Sequence, residues 1–445
     1  LLKKTKTVNN GQPGFNLKPN PQEVKMAQPD STPRSLVSDG DRLVSSTRSK
    51  PVPLKLVMLL GVTCALAVGN VYFAQPLLTA MAQTFAVSAG STGVVVTATQ
   101  VGYGLGLLFV VPLGDLFNGR LLIVCQLLML ALAVLLVSLA PDFYALLIAM
   151  SLVGLMAVVV QVVVAYAASL SSAAQRGQVV GMVTGGVVLG ILLARLTAGA
   201  IADLAGWRAV YLSSAALLVL LAAILWRTAP GQSVPMKRPA WRTLMRAFFR
   251  LFLDEPLLRV RGILAMLIFA AFSVFWTAMV LPLSQLNFSH TETGLFGLAG
   301  IAGALAAIRA GRWADQGYGQ RTTGIGLLLL TLSWLPLAWL HHSIWLFIAG
   351  VILLDFAVQA VHVSSQSLLL HGRPDANHRL IAAYMCFYSV GSALGASAAT
   401  RVYAGWQWPG VCLLGSAISL AALLFWWATL RPSSADAHSP AGSIK

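Results

Sequence analysis

Apolar residues fill most of this chain in long runs, and polar residues are confined to the short gaps between them. A run of about 20 apolar residues matches the hydrocarbon thickness of a bilayer. Twelve such runs can be read, at roughly 55–80, 91–113, 120–139, 143–168, 178–202, 208–228, 260–284, 292–312, 322–340, 344–370, 379–402 and 408–430. They lack the period-two alternation of a lipid-facing strand. Each therefore predicts a helix, which satisfies its own backbone in lipid. The expected fold class is an all-α membrane protein with twelve transmembrane helices in two pseudo-symmetric six-helix bundles.

The two sixes echo each other. Asp115 closes the second run and Asp315 follows the eighth, 200 positions on. The tripeptide AGW at 205–207 returns at 404–406, after the fifth run of each half. Gln161 in the fourth run answers Gln359 in the tenth, 198 positions on. Small residues every fourth position, Gly186, Gly190, Ala194 and Ala198, return as Gly391, Gly395 and Ala399. Coincidences near one offset predict parallel repeats. These small residues are expected to let helices slide between the halves.

The resulting organisation has five parts. Residues 1–53 are a basic tail without an apolar run, expected to be disordered and cytoplasmic. The bundles are 54–228 and 260–430, and 431–445 is a second cytoplasmic tail. The linker 229–259 carries basic residues at 238, 242, 246 and 250, with Leu244, Phe248, Phe249 and Leu251 between them. That spacing predicts an amphipathic helix on the inner leaflet. The chain opens on Leu1 and its first methionine is Met26, which leaves open a fragment, an unusual start or a start near Met26.

Composition agrees with the pattern. The chain is 57% hydrophobic and 10% charged, against about 25% charged in soluble domains. Its mean hydropathy is +0.78. The net charge of +16 does not indicate nucleic acid, because the basic residues sit between the runs. Arg120, Arg176, Arg312, Arg321, Arg373, Arg379 and the linker fall on one side, with only Arg208 and Arg401 on the other. The positive-inside bias puts both termini in the cytoplasm. Cys64, Cys125, Cys386 and Cys412 lie in apolar runs and read as packing thiols.

VPLGDLFNGR (111–120) and GRWADQGYGQR (311–321) resemble the loop signature G-x-x-x-D-R-x-G-R-R of the major facilitator superfamily. The first keeps Asp115 and Arg120, with Val111 at the first glycine and Leu116 at the usual basic position. The second keeps Gly311, Asp315 and Arg321. Met150 stands near the place of the signature arginine in the fourth run. NVYFAQPLL (70–78) is similar to bacterial permeases of the arabinose-efflux and drug:proton antiporter type, and the glycine repeat of the fifth run resembles an antiporter motif without its proline. The resemblance covers about residues 55–430.

It implies a multi-pass secondary transporter of the bacterial inner membrane that works by alternating access. Proton-coupled efflux of a drug, sugar or metabolite is the expected activity. Expected partners are that small molecule, protons and the lipid bilayer, with no nucleic acid. One chain holds both halves, so a monomer suffices. The proton gradient would replace any cofactor, and no metal is expected. G-x-x-x-x-G-K-[ST] and H-E-x-x-H are both missing, so enzymatic activity is not expected. The eroded loop signature also admits a non-transporting or decayed transporter-derived membrane protein.

In that architecture runs 1, 4, 7 and 10 line a central cavity. The tenth carries Asp355, Gln359, His362 and Gln366 at spacings of 4, 3 and 4, on one helical face. A carboxylate deep in a span usually faces the bundle interior or water. Arg195 lies in the oily stretch GVVLGILLARLTAGAIAD (186–203), at a depth of roughly 12 Å. Asp355 lies roughly 16 Å deep by the same rise, so Arg195 is expected to pair with it or to face the cavity, with snorkelling to the outer interface as the alternative. Asn70, Tyr72, Gln75, Gln100, Tyr103 and Gln161 are further candidates for proton or substrate contact. Phe272, Phe275 and Trp276 would pack in the core or against lipid, or make an apolar wall of the cavity. Asp115, Arg120, Asp315 and Arg321 are expected to form a cytoplasmic gate.

Overall fold

The structure is a computed structural model and describes residues 52–172, 175–231, 240–370 and 377–430, without the side chains of Asp115, Asp315, Asn377 and His378. The N-terminal tail up to residue 51, linker residues 232–239 and the C-terminal tail from residue 431 lie outside these residues.

The described secondary structure is helical, with no strand. Ten segments are long and apolar enough to cross a membrane. In the first half they are α1 (Leu54–Tyr72), α2 (Ala89–Gly114), α3 (Gly119–Ser138), α4 (Phe143–Leu170), α5 (Arg176–Ala205) and α6 (Trp207–Thr228). In the second half come α7 (Pro256–Gln285), α8 (His290–Trp313) and α10 (Ile344–Leu370). The tenth segment, Arg379–Thr429, is broken where Gln407 takes φ 52° and ψ −158°, which divides it into α11 (379–406) and α12 (408–429). The ninth expected run is the helix α9 (Gly319–Leu337), as long as α1 but more polar at its start, with Pro336 inside its last turn. The twelve runs thus map onto ten long segments, one of them bent in two, plus α9.

Proline sets matching breaks in both halves. Helix α1 stops at Tyr72 and resumes as Ala74–Phe85. Pro76 has no N–H to offer the Tyr72 carbonyl four residues back. Within α7 the helix stops at Ala278 and resumes at Val280, and Pro282 denies the Ala278 carbonyl in the same way.

Helix pairing repeats as well. In the first half α1 packs on α5, α2 on α4 and α3 on α6. In the second, α7 packs on α11, α8 on α10, and α9 on both α10 and α12. Two seams join the halves, α2 with α11 and α5 with α8.

The small-residue ladders lie elsewhere than expected. A Cβ at Gly186 would run into the Gly61 carbonyl, and one at Gly190 into that of Ala65. Gly391 meets the carbonyl of Met266 in the same way, and Gly395 that of Ala270. Both ladders therefore bind helices within a half, α5 to α1 and α11 to α7, and do not form a sliding surface between halves. Each contact pair recurs at one offset of 205, since both halves close with the same backbone approach. The seam of α5 and α8 uses other glycines, Gly199 against His290 and Gly294 against Arg195.

The linker forms a helix over Trp241–Asp254. Leu244 and Phe248 are buried, and Phe248 joins a cluster with Leu258, Leu369, Leu380 and Tyr384. Arg242, Arg246 and Arg250 point outward with Phe249 and Leu253.

Candidate functional site

Four helices bring their polar residues to one place near mid-span. Arg195 of α5 is only 2% exposed, so its side chain does not reach toward the membrane surface. Its Nε donates to Gln75 Oε1 at 2.7 Å, in the continuation of α1. Its guanidinium carbon lies 3.7 Å from the ring centroid of Trp276 in α7, 5.1 Å from Tyr72 and 5.8 Å from Phe272. Burying an arginine at the centre of a span costs about 2.5–3.5 kcal/mol on insertion scales. A desolvated cation–π contact offsets about 2 kcal/mol, and a hydrogen bond to a charged group about 1.5–3 kcal/mol. Gln75 and Trp276 together therefore account for the buried charge.

Asp355 of α10 is 4% exposed. Its Oδ1 accepts a hydrogen bond from Trp276 Nε1 at 3.1 Å, and its Oδ2 lies beside Gly300 of α8. Arg195 and Asp355 thus meet through the indole of Trp276 rather than by the direct pairing that their depths suggested. The face of the ring holds the cation and its edge holds the carboxylate. One Arg195 nitrogen, Nη2, is buried without a hydrogen-bond partner. A void too small to hold a water molecule lies against Arg195, lined also by Gln75, Pro76, Trp276, Met279, Val280 and Thr293.

From this cluster a file of tyrosines leads toward the linker end of the bundle. Tyr72 shares a hydrogen bond of 2.8 Å with Tyr388 of α11. The Tyr388 ring meets Tyr103 edge-on at 6.2 Å between centroids. Gln161 Nε2 reaches the Tyr103 hydroxyl at 3.5 Å. Gln161 in turn lines a cavity of about 740 Å3 at the linker end, bordered also by Tyr166, Arg176, Phe248 and Arg379.

The other candidates are placed as follows. Asn70 donates to the Leu66 carbonyl and accepts from Ser214 of α6, so its polar atoms are spent inside the first half. The Gln100 carbonyl accepts from Ser389 of α11, while its side-chain Oε1 is buried without a partner. Gln359 packs its Cγ against Gly303 of α8. His362 shares hydrogen bonds with the Tyr384 hydroxyl at 3.0 Å and with Gln366 at 3.3 Å, and its ring meets Phe269. The structure brings Arg195, Gln75 and Asp355 together and leaves Asn70, Gln359 and His362 in separate contacts.

At the expected gate, Arg120 donates to the Ala229 carbonyl at 3.2 Å and lies over Trp226 of α6. Arg321 lies over Tyr318. The carboxylates of Asp115 and Asp315 lie outside the described side chains.

The end opposite the linker is drawn together across both seams. Asp203, near the end of α5, accepts from the His290 and Thr291 backbone N–H groups at 3.2 and 2.8 Å and from the Thr291 hydroxyl at 2.6 Å. His290 Nδ1 lies 3.1 Å from the Pro76 carbonyl. On the other seam Thr97 donates to the Ala393 carbonyl, and Thr400 donates to that of Gly90. One end is thus knitted shut while the other holds a cavity.

Sequence reasoning gave no polar part to Trp276, Tyr388 or Asp203. The signal for Trp276 is its N–H, a donor that needs an acceptor once buried. The signal for Asp203 is S-x-x-E at 289–292, a helix start facing the end of α5. The structure forms that capping box, with Ser289 and Glu292.

The Major Facilitator Superfamily profile matches residues 58–316 and 261–445. The chain is 43% identical over 374 residues to Uncharacterized transporter YgaY of Escherichia coli O157:H7, covering 84% of this chain and 95% of that protein. It is 29% identical over 380 residues to Probable transporter SCO4007 of Streptomyces coelicolor, covering 84% and 87%. The fold resembles a bacterial homolog of the human lysosomal transporter Spinster in an inward-facing and occupied conformation. That likeness has a TM-score of 0.71 at 16% identity, over 88% of this chain and 100% of that one.

Proposed function

Because this chain belongs to the Major Facilitator Superfamily, and so is a multi-pass membrane transporter, we propose that it exports a small molecule in exchange for protons by alternating access. The observation that carries this reading is the joint site. Arg195 comes from the first half and Trp276 and Asp355 from the second. A rearrangement of the halves must alter the contact between them.

With Asp355 ionised, the indole edge binds the carboxylate and the face binds Arg195. A proton on Asp355 cancels the carboxylate charge and weakens the bond from Trp276. A substrate bound at the ionised carboxylate must leave when the proton arrives. Proton and substrate compete, as exchange requires. The tyrosine file from Tyr72 through Tyr388 and Tyr103 to Gln161 supports a route between this site and the cavity.

The arginine-rich linker end supports a cytoplasmic placement for that cavity and for both termini, in a bacterial inner membrane. Arg120, Arg321 and the aspartates Asp115 and Asp315 would then close the cytoplasmic end when the opposite end parts. The likeness of 70–78 to efflux permeases supports outward transport. A single chain with both halves supports a monomer.

The test is Asp355→Asn in sealed vesicles, with exchange followed against a series of imposed pH gradients. Loss of the gradient dependence is expected. An unchanged dependence would remove Asp355 as the coupling group.

A further inference from the structure

We propose that the Arg195–Trp276–Asp355 cluster is the recognition site for a small zwitterion, an amino-acid-like molecule with an apolar side chain. This rests on the transport reading above and names the substrate class of that same site.

The argument begins from what the two charges do not do. Opposite charges in a low-dielectric interior gain most from direct contact. Here an indole ring holds them apart, with Arg195 over its face and Asp355 at its edge. Each charge keeps an unused atom. Arg195 Nη2 is buried without a partner. Among the described residues Asp355 Oδ2 forms no hydrogen bond, and it lies beside Gly300, where no side chain intervenes. A buried donor on a cation without a partner is costly to keep. A ligand carboxylate at Nη2 would satisfy it.

A simple anion would serve Arg195 and repel Asp355. A simple cation would do the reverse. A molecule bearing both charges serves both and adds no net charge to the buried site. The surrounding walls are the rings of Tyr72, Phe272 and Trp276, which lie within 5.8 Å of the guanidinium carbon. They favour an apolar side chain beside the two charged groups. The adjacent void is too small for a water molecule and Asp355 does not line it, so a ligand enters the cluster only when the two halves move apart. The ammonium group would occupy the carboxylate that a proton otherwise takes, so this substrate class supplies the competition directly.

The experiment uses the full chain purified in detergent. Thermal unfolding is followed with L-valine, L-leucine and L-phenylalanine. It is repeated with two leucine analogues that each lack one charge, 4-methylpentanoate and 3-methylbutylamine. A ligand of the native state raises the unfolding temperature with its concentration. At least one amino acid is expected to act at a concentration tenfold or more below the matched analogues, because each analogue leaves one buried charge without its contact. Arg195→Gln should reduce its advantage over the amine, and Asp355→Asn its advantage over the carboxylate. If all three amino acids fail to shift unfolding at millimolar concentration, or an analogue with one charge matches leucine, the proposal is overturned. The wild-type panel decides this even where a variant does not fold. The assay needs no proton gradient. Binding of the zwitterion with gradient-independent exchange would keep this inference and sink the coupling reading. Gradient-driven exchange of singly charged compounds alone would do the opposite.

Discussion

Arg195 sits over the ring of Trp276, its guanidinium carbon 3.7 Å from the centroid, and that contact crosses from the first half of the molecule to the second. The indole N–H of the same ring is given to Asp355. The two roles can be separated by substitution. Trp276→Phe keeps an aromatic face and loses the N–H, whereas Trp276→Leu loses both. The face is worth about 2 kcal/mol and the hydrogen bond about 1.5–3 kcal/mol. In detergent the melting temperature should fall for Phe and fall further for Leu. Equal stability in all three proteins would show that the indole supports neither charge.

Gln75 offers a sharper test of how the arginine is tolerated. Its Oε1 accepts from Arg195 Nε at 2.7 Å in a buried setting. Gln75→Leu leaves that donor without a partner, beside Nη2, which already lacks one. The expected loss is about 1.5–3 kcal/mol, read from thermal unfolding of the purified protein. Gln75→Glu retains an acceptor and should lose less. A leucine variant as stable as the parent would mean that the aromatic rings alone hold the charge.

These contacts mark how far the sequence could be read. The run lengths foretold the spans, and the 200-residue echo foretold the repeated pairing, because both follow from hydrophobic period and backbone spacing. Arg195 and Asp355 stood out because charge is rare in an oily run. Their meeting point was not legible, since Trp276 looks like any other apolar wall until its ring is placed between them. Asn70 shows the opposite failure. It looked available for substrate, yet Leu66 and Ser214 take its polar atoms. Arg261 went unremarked near the start of the seventh run, although it is 2% exposed and reaches Thr323. A position so close to a predicted boundary reads as a surface charge, and only tertiary packing reveals its burial.

Asp203 is expected to hold the end opposite the linker shut. It binds two backbone N–H groups and one hydroxyl at the start of α8. The site faces solvent, so these bonds together are worth about 1 kcal/mol after screening. That corresponds to about a fivefold change in the population of the closed end. Thr293 lies just behind the latch and is 3% exposed. In a background without the four native cysteines, Thr293→Cys should react slowly with an impermeant maleimide. Adding Asp203→Ala should speed that reaction about fivefold, by the same conversion. An unchanged rate would show that the seam is held by packing alone.

The glycine ladder gives a prediction with its own control. Gly181 and Gly186 lie on the same helix, five residues apart, but only Gly186 faces another backbone. A Cβ at Gly181 meets nothing within 4 Å. Gly181→Ala should therefore be neutral or stabilise by about 0.5–1 kcal/mol, because alanine loses less backbone entropy in a helix. At Gly186 the same methyl strikes the carbonyl and Cα of Gly61. Backbone cannot rotate out of the way as a side chain can, so α1 and α5 must move apart, at a cost of about 1–3 kcal/mol. Gly391→Ala should behave like Gly186→Ala, since it meets the Met266 backbone at the equivalent place in the second half. Melting temperatures of the three variants in one detergent would compare them directly. If Gly186→Ala and Gly391→Ala melt with the parent, the close approach of α1 to α5 and of α7 to α11 is not what fixes the two bundles.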